Sequence, residues 1–161
     1  MTLPRTVRAL TASLMLVGLN AVAQTTPPAC PFKPDDLAKH FGVGFGAGVE
    51  EPGIGGTSCA YRTQGGSMAK GTEFTMWVLI IRPGGDQDMI RTMAAGGPKA
   101  RFEPIAGDPD GAARVVSPVN DSLADISYRR AGHVVFVRAS GQGRDNKDAM
   151  VGRLLKLPRL P

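Results

Sequence analysis

Apolar residues recur along this chain in two periods, about 3.6 and 2, and the switches between them mark its elements. Residues 34–41 place Leu37 and Phe41 four apart, with Asp35 or Asp36 available as a cap and Gly42 as a stop, so a short helix is predicted. Val43, Phe45, Ala47 and Val49 then alternate with glycines up to Glu50, the period of a half-buried strand. Its glycine face is bare, which invites close approach by another backbone or a helix. Residues 51–57 read as a turn-rich loop, 58–62 as a short strand carrying Cys59 and Tyr61 on one face, and 64–72 as a Gly/Ser/Lys loop.

Residues 73–82 form the strongest strand pattern. Phe74, Met76, Val78 and Ile80 take one face, and Trp77, Leu79 and Ile81 the other, so a central strand covered on both sides is expected. Asp86 caps a second predicted helix through Ala95, with Met89, Ile90 and Met93 as its buried stripe. A weak strand at 101–106 is interrupted by Pro104, residues 107–111 are a turn, and 112–117 is a strand. Residues 123–130 and 133–140 read as a hairpin turning at Ala131-Gly132. A last helix, capped by Asp145, has Ala149, Met150, Leu154 and Leu157 as its apolar stripe and Pro158 as its stop.

Consecutive strands joined by turns, between three helices, predict an α+β fold: an antiparallel β-sheet with three helices packed mainly on one face. Both halves follow a helix-then-meander order, which points to a duplicated helix-meander unit even though residue identity between the halves is poor.

The N-terminus changes the picture. Arg5 and Arg8, an apolar run from Ala9 to Leu19, and Ala21-Val22-Ala23 have the order of a secretory signal peptide, residues 1–23, cleaved before Gln24. A polar, proline-containing leader at 24–29 follows, and residues 30–161 make one α+β domain. The apolar run is too short to span a bilayer, and no lipobox precedes Cys30. A soluble periplasmic or secreted protein is therefore expected, with no stable membrane insertion after cleavage. The 161 residues are 42% apolar and 20% charged, which argues against disorder. Cleavage removes two arginines and no acid, taking the net charge from +5 to +3. The remaining charge is scattered, so no nucleic-acid footprint is expected.

Cys30 and Cys59 are the only cysteines. In an exported chain they are expected to pair. The closed loop of about 30 residues would contribute roughly 3–4 kcal/mol in the chain-entropy model. The alternative, a reactive or metal-binding thiol pair, lacks a C-x-x-C spacing or a nearby histidine.

Candidate chemistry is sparse. The glycine run at 42–48 follows a helix rather than a strand, so it is read as a glycine-faced strand and not as a phosphate loop. Asp108-Pro109-Asp110-Gly111 starts like a calcium loop, but the twelfth position is Val119, so a plain turn is expected. His40 and His133 have no serine nucleophile in a G-x-S-x-G setting. Met76, Met89 and Met93 fall on apolar positions and are assigned to the core rather than to a copper site. Asn120-Asp121-Ser122 fits a glycosylation acceptor, but the chain has a bacterial character and no glycan is expected.

Through Cys30, Cys59-Ala60-Tyr61, Gly107-Asp108 and the final hairpin and helix, the chain resembles small exported bacterial α+β domains of unknown function. In these a cysteine before the first helix pairs with one on an early strand. The resemblance implies the fold but carries over no catalytic residue, cofactor or metal. The expected function is a non-enzymatic binding domain that contacts another envelope or secreted protein, one form being an inhibitor or immunity protein acting through loops 51–57 and 64–72. The alternative is a periplasmic small-ligand or metal carrier. Trp77 is expected in the core beside Leu79 and Ile81; if its face is open, Trp77 and Tyr61 are the residues to form an interaction face.

Overall fold

The computed structural model describes residues 30–67, 70, 72–119, 124–141 and 147–160. The signal and leader segments, the 120–122 tripeptide and the expected cap Asp145 lie outside them. The described elements are α1 (Pro34–Phe41), β1 (Gly44–Phe45), β2 (Val49–Gly53), β3 (Gly56–Gln64), β4 (Thr75–Ile81), α2 (Gln87–Ala94), β5 (Arg101–Pro104), β6 (Ala113–Val116), β7 (Ala124–Arg130), β8 (His133–Ser140) and α3 (Lys147–Leu155). All strand pairs are antiparallel, in the order β1-β3-β4-β8-β7-β6-β5, with β2 also on β3. This is the α+β architecture that the alternating periods predict.

The two meanders meet along β4 and β8, from Thr75 opposite Ser140 to Ile81 opposite Val134. The two most apolar strands therefore lie at the centre of the sheet, where both faces are covered. On one face Tyr61, Met76, Val78, Ile126, Tyr128 and Val137 pack with Leu37 and Phe41 of α1 and with Met150, Val151 and Leu154 of α3. On the other, Leu79, Ile81, Val134 and Phe136 pack with Ile90, Ala94 and Ala95 of the α2 segment. Two helices thus share a face, and α2 crosses to the opposite one. The reason is visible in β4: Leu79 and Ile81 point away from α1 and α3 and need a cover of their own. The element order repeats, helix then four strands. A rotation normal to the sheet that exchanged β4 with β8 would not carry α1 onto α2, because they lie on opposite faces.

Several local expectations change. The strand expected at 43–49 is interrupted after Phe45 and resumes as β2 through Gly53. The expected loop 51–57 is instead the turn of a β2–β3 hairpin, with Gly53 opposite Gly56. Pro52 is accommodated because β2 is an edge strand that, among the described residues, pairs with β3 alone. Pro34 opens α1 with Lys33 at the cap position, so Asp35 and Asp36 fall in the first turn, where they favour the helix dipole, rather than at the cap. In α3 the buried positions are Met150, Val151 and Leu154; Ala149 faces solvent. At the β7–β8 turn both Ala131 (φ 47) and Gly132 (φ 78) are left-handed, as a two-residue hairpin turn that follows the sheet twist requires.

The disulfide forms between Cys30 and Cys59, with Cα atoms 5.6 Å apart. Next to it, the Phe32 amide donates to the Tyr61 hydroxyl at 2.9 Å. Both bonds fasten the segment before α1 to β3. Gly48 lets this happen: a Cβ there would lie 2.6 Å from the Tyr61 ring and 2.8 Å from the Cys30 Cβ. The bare glycine face read from the sequence is thus filled at this point. At the other end of the chain, the Leu160 amide donates to the Tyr128 hydroxyl at 3.0 Å, and Arg159 pairs with Asp108. The Asp108 carboxylate also accepts from the Asp110 and Ala112 amides, which makes residues 107–111 the turn expected.

Candidate binding surface

Strand register decides which side chains can share a surface. Ala60 opposes Trp77, and Tyr61 opposes Met76, so Trp77 and Tyr61 point to opposite faces. Tyr61 has no exposed surface, and its hydroxyl is taken by Phe32. The joint Trp77–Tyr61 interaction face is therefore corrected: Tyr61 is an interior residue of the α1/α3 side, and its burial raises its pKa above the ordinary phenol value. Trp77 is half-buried. Its ring meets Phe136 edge-on at 6.1 Å, while its remaining surface opens toward the α2 side of the sheet. It is both part of the packing and part of a surface.

That surface is a cleft of about 240 Å³ lined by Pro52, Gly53, Ile54, Trp77, Leu79, Ile90, Met93 and Ala94. One wall is the tip of the β2–β3 hairpin and the other is α2. Gly55, at φ 72, makes the hairpin tip narrow enough for Ile90 to seat on it; a Cβ there would lie 2.5 Å from Ile90 Cδ1. Ile54, beside it, then projects into solvent at 61% exposure.

The apolar stripe expected for α2 divides. Ile90 turns to the sheet, while Met89 and Met93 are 54% and 52% exposed, so their core assignment is corrected. The physical reason lies in how α2 is attached. No residue of the helix is fully buried, and polar contacts hold it. Asp86 caps it through the Met89 amide. Gln87 Nε2 donates to the carbonyls of Arg82 and Gly132, both at 2.9 Å. Asp88 pairs with Arg129, and Arg91 Nε donates to the buried Ser127 hydroxyl at 2.9 Å. Burial, and secondarily the nearby Arg129, lowers the Arg91 pKa from its ordinary value. At the C-terminal end Arg138 donates to the Ala94 carbonyl at 2.9 Å and to both oxygens of Asp125, which is 2% exposed. The helix is thus pinned at its ends and its sheet-facing side, and its methionine side is left bare.

Val49, opposite Ala60 and hence on the face of Trp77, is 62% exposed. Of the five large apolar side chains that are exposed among the described residues, Ile54 and Met93 line the cleft, Val49 lies on the Trp77 face of the sheet, and Met89 stands one turn from Met93 on α2. The sheet edges are guarded against strand addition by Glu50, Glu51 and Pro52 on β2 and by Arg101, Glu103 and Pro104 on β5. What the molecule offers is a face rather than an edge.

The other candidate residues do not converge. His40 Nε2 lies 2.7 Å from the Arg153 carbonyl, joining α1 to α3, and His133 Nδ1 lies 3.1 Å from the Ala131 carbonyl in the hairpin turn. No three His, Cys, Asp or Glu side chains among the described residues form a group that could hold a metal ion. No helix among them is long and apolar enough to cross a membrane.

Fold and surface together define a disulfide-braced α+β domain with one half-open apolar face. The chain matches no protein-family model, no curated protein and no solved structure.

Proposed function

We propose that this chain is a non-enzymatic exported binding domain, and that the hairpin tip and α2 receive an apolar side chain of another envelope or secreted protein. The observation that carries this reading is the Trp77 cleft with the exposed Ile54 and Met93 on its lining, accompanied by the exposed Val49 on the Trp77 face of the sheet and Met89 one turn from Met93 on α2. Isolated exposed apolar residues are ordinary, but a contiguous apolar face on a small domain marks an interaction site. A half-buried tryptophan at its centre is the kind of residue that dominates interface energetics. The expected loop 51–57 contributes as the tip of a hydrogen-bonded hairpin, and a segment already ordered before binding costs less entropy than an unstructured one. Export is supported by the signal-like N-terminus together with the disulfide, which is compatible with an oxidising compartment.

At this face the size of the cleft favours a side chain over a drug-sized ligand. At about 240 Å³ it falls below the roughly 300–1,000 Å³ of pockets that enclose a drug-sized ligand. The space suits one anchor side chain with the rest of a partner laid over the rim.

The test compares the mature protein with an Ile54→Asp, Met93→Asp variant as baits for envelope and secreted extracts, followed by affinity measurement on the captured protein. Both positions are more than half exposed, so the variant should keep its urea midpoint. The expected result is a partner whose affinity falls at least tenfold, about 1.4 kcal/mol, in the variant. Equal capture by both baits would overturn the assignment to this face. A small molecule or metal released from purified wild-type protein, and absent from the variant, would favour the carrier instead.

A further inference from the structure

The methionines of the described chain divide sharply by exposure. Met76 and Met150 are 0% and 3% exposed, whereas Met89 and Met93 are 54% and 52% exposed. The exposed pair is four residues apart on α2, hence on one side of the helix. Met93 lines the cleft together with Trp77. The cysteines are joined in the disulfide, so these thioethers are the accessible reduced sulfur among the described residues. From this arrangement we infer that Met89 and Met93 form a reversible sulfoxidation site that switches off the apolar face. The effect on partner binding rests on the function proposed above; the modification itself does not.

The oxidant is a peroxide. A sulfur lone pair attacks the outer oxygen, an S–O bond forms as the O–O bond breaks, and the hydroxide released takes up the peroxide's proton and leaves as water. Sulfur loses two electrons and the peroxide gains them. A dithiol reductant reverses the step: the sulfoxide oxygen leaves as water, and the two thiols become a disulfide. An exposed thioether is open to this attack, and one enclosed by the core is not. The product replaces a flexible apolar tip with a strongly polar S=O group. An apolar partner must then strip water from that group without replacing its hydrogen bonds, which costs affinity. The helix itself should stay in place, because its attachments run through Asp86, Gln87, Asp88, Arg91 and the Ala94 carbonyl and use neither sulfur.

The experiment treats the mature protein with hydrogen peroxide and follows each methionine by peptide mass mapping, with Trp77 emission recorded in parallel. Met89 and Met93 should oxidise at least about tenfold faster than Met76 and Met150. Trp77 emission should shift red, the urea midpoint should hold, and methionine sulfoxide reductases of both stereospecificities with dithiothreitol should restore the starting spectrum. Captured partner should be lost on oxidation and regained on reduction. A Met89→Leu, Met93→Leu variant should bind the same amount of partner before and after peroxide. Comparable oxidation rates at Met76, Met89, Met93 and Met150 would overturn the site. Selective oxidation that leaves both Trp77 emission and partner capture unchanged would overturn the switch. Should the untreated protein capture nothing, the binding function fails, while the peptide map and the Trp77 emission still decide the modification.

Discussion

At the scale of single residues, Trp77 carries the most information. Its alternation with Leu79 and Ile81 suggests a core position, yet it lies where α2 ends its cover and the cleft begins. Full truncation of a buried tryptophan costs about 3–5 kcal/mol, but this ring already keeps part of its surface in water. Trp77→Ala should therefore lower stability by about 1–3 kcal/mol in urea unfolding, and should also weaken partner binding. A loss above about 4 kcal/mol would mean that the ring acts as a closed core residue. As the sole tryptophan, it reports on this directly through its fluorescence. Ala131 makes a related point at a different place. A left-handed alanine is not legible in an Ala-Gly pair, because only the register of β7 with β8 forces both turn residues to positive φ.

At the scale of elements, α2 differs from α1 and α3 in what holds it. The other two helices bury leucine, phenylalanine, methionine and valine, whereas α2 depends on the Asp125–Arg138 pair and its neighbours. The two members of that pair are not equivalent. Arg138 keeps 20% of its side chain exposed, while Asp125 keeps 1%. Removing the acid leaves a cation that can still reach water. Removing the base strands a carboxylate in the sheet and frees the Ala94 carbonyl. Arg138→Met should accordingly destabilise by about 3–5 kcal/mol and Asp125→Ala by less. The double replacement Asp125→Leu, Arg138→Met should recover most of the loss, since no buried charge remains. Urea unfolding of the three variants tests this order, and amide exchange should show α2 losing protection first in Arg138→Met. A larger loss in Asp125→Ala would reject the account.

At the scale of the whole molecule, the two tyrosines act as fasteners for the two ends of the described chain. Tyr61 accepts from Phe32 near the start, and Tyr128 accepts from Leu160 near the finish. Burial raises the pKa of each, and the hydrogen bonds from Phe32 and Leu160 and the charge of Arg159 only partly oppose it. A raised folded-state value means that the folded protein keeps these protons where the unfolded chain loses them. The stability they confer is complete below the unfolded value of about 10 and is lost as pH rises through the higher folded values. Alkaline unfolding should therefore begin above about pH 10, with phenolate absorbance and loss of ellipticity rising together. These are the only two tyrosines, so the absorbance is unambiguous. Phenolate appearing at pH 10 in a still-folded protein would contradict this role.

The sequence by itself determined the three helices and most of the strands, the antiparallel connectivity, the central place of β4, the turn at 107–111 and the pairing of Cys30 with Cys59. These follow from local periodicity, turn chemistry and cysteine count, which act over a few residues or need no geometry. The face on which each helix docks was decided only by the tertiary structure. Met89, Ile90 and Met93 read as one apolar stripe, yet polar pins from β7, β8 and the 82–86 turn rotate α2 so that only Ile90 reaches the sheet. Trp77 reads as a core residue in line with Leu79 and Ile81, and Tyr61 shares a strand face with Cys59, yet the β3–β4 register sends Tyr61 to the closed α1/α3 face and leaves Trp77 at the cleft. Side-chain direction in a sheet depends on pairing between distant segments. That is why the candidate surface, built from the β2–β3 hairpin, β4 and α2, could not be assembled from the chain in one dimension.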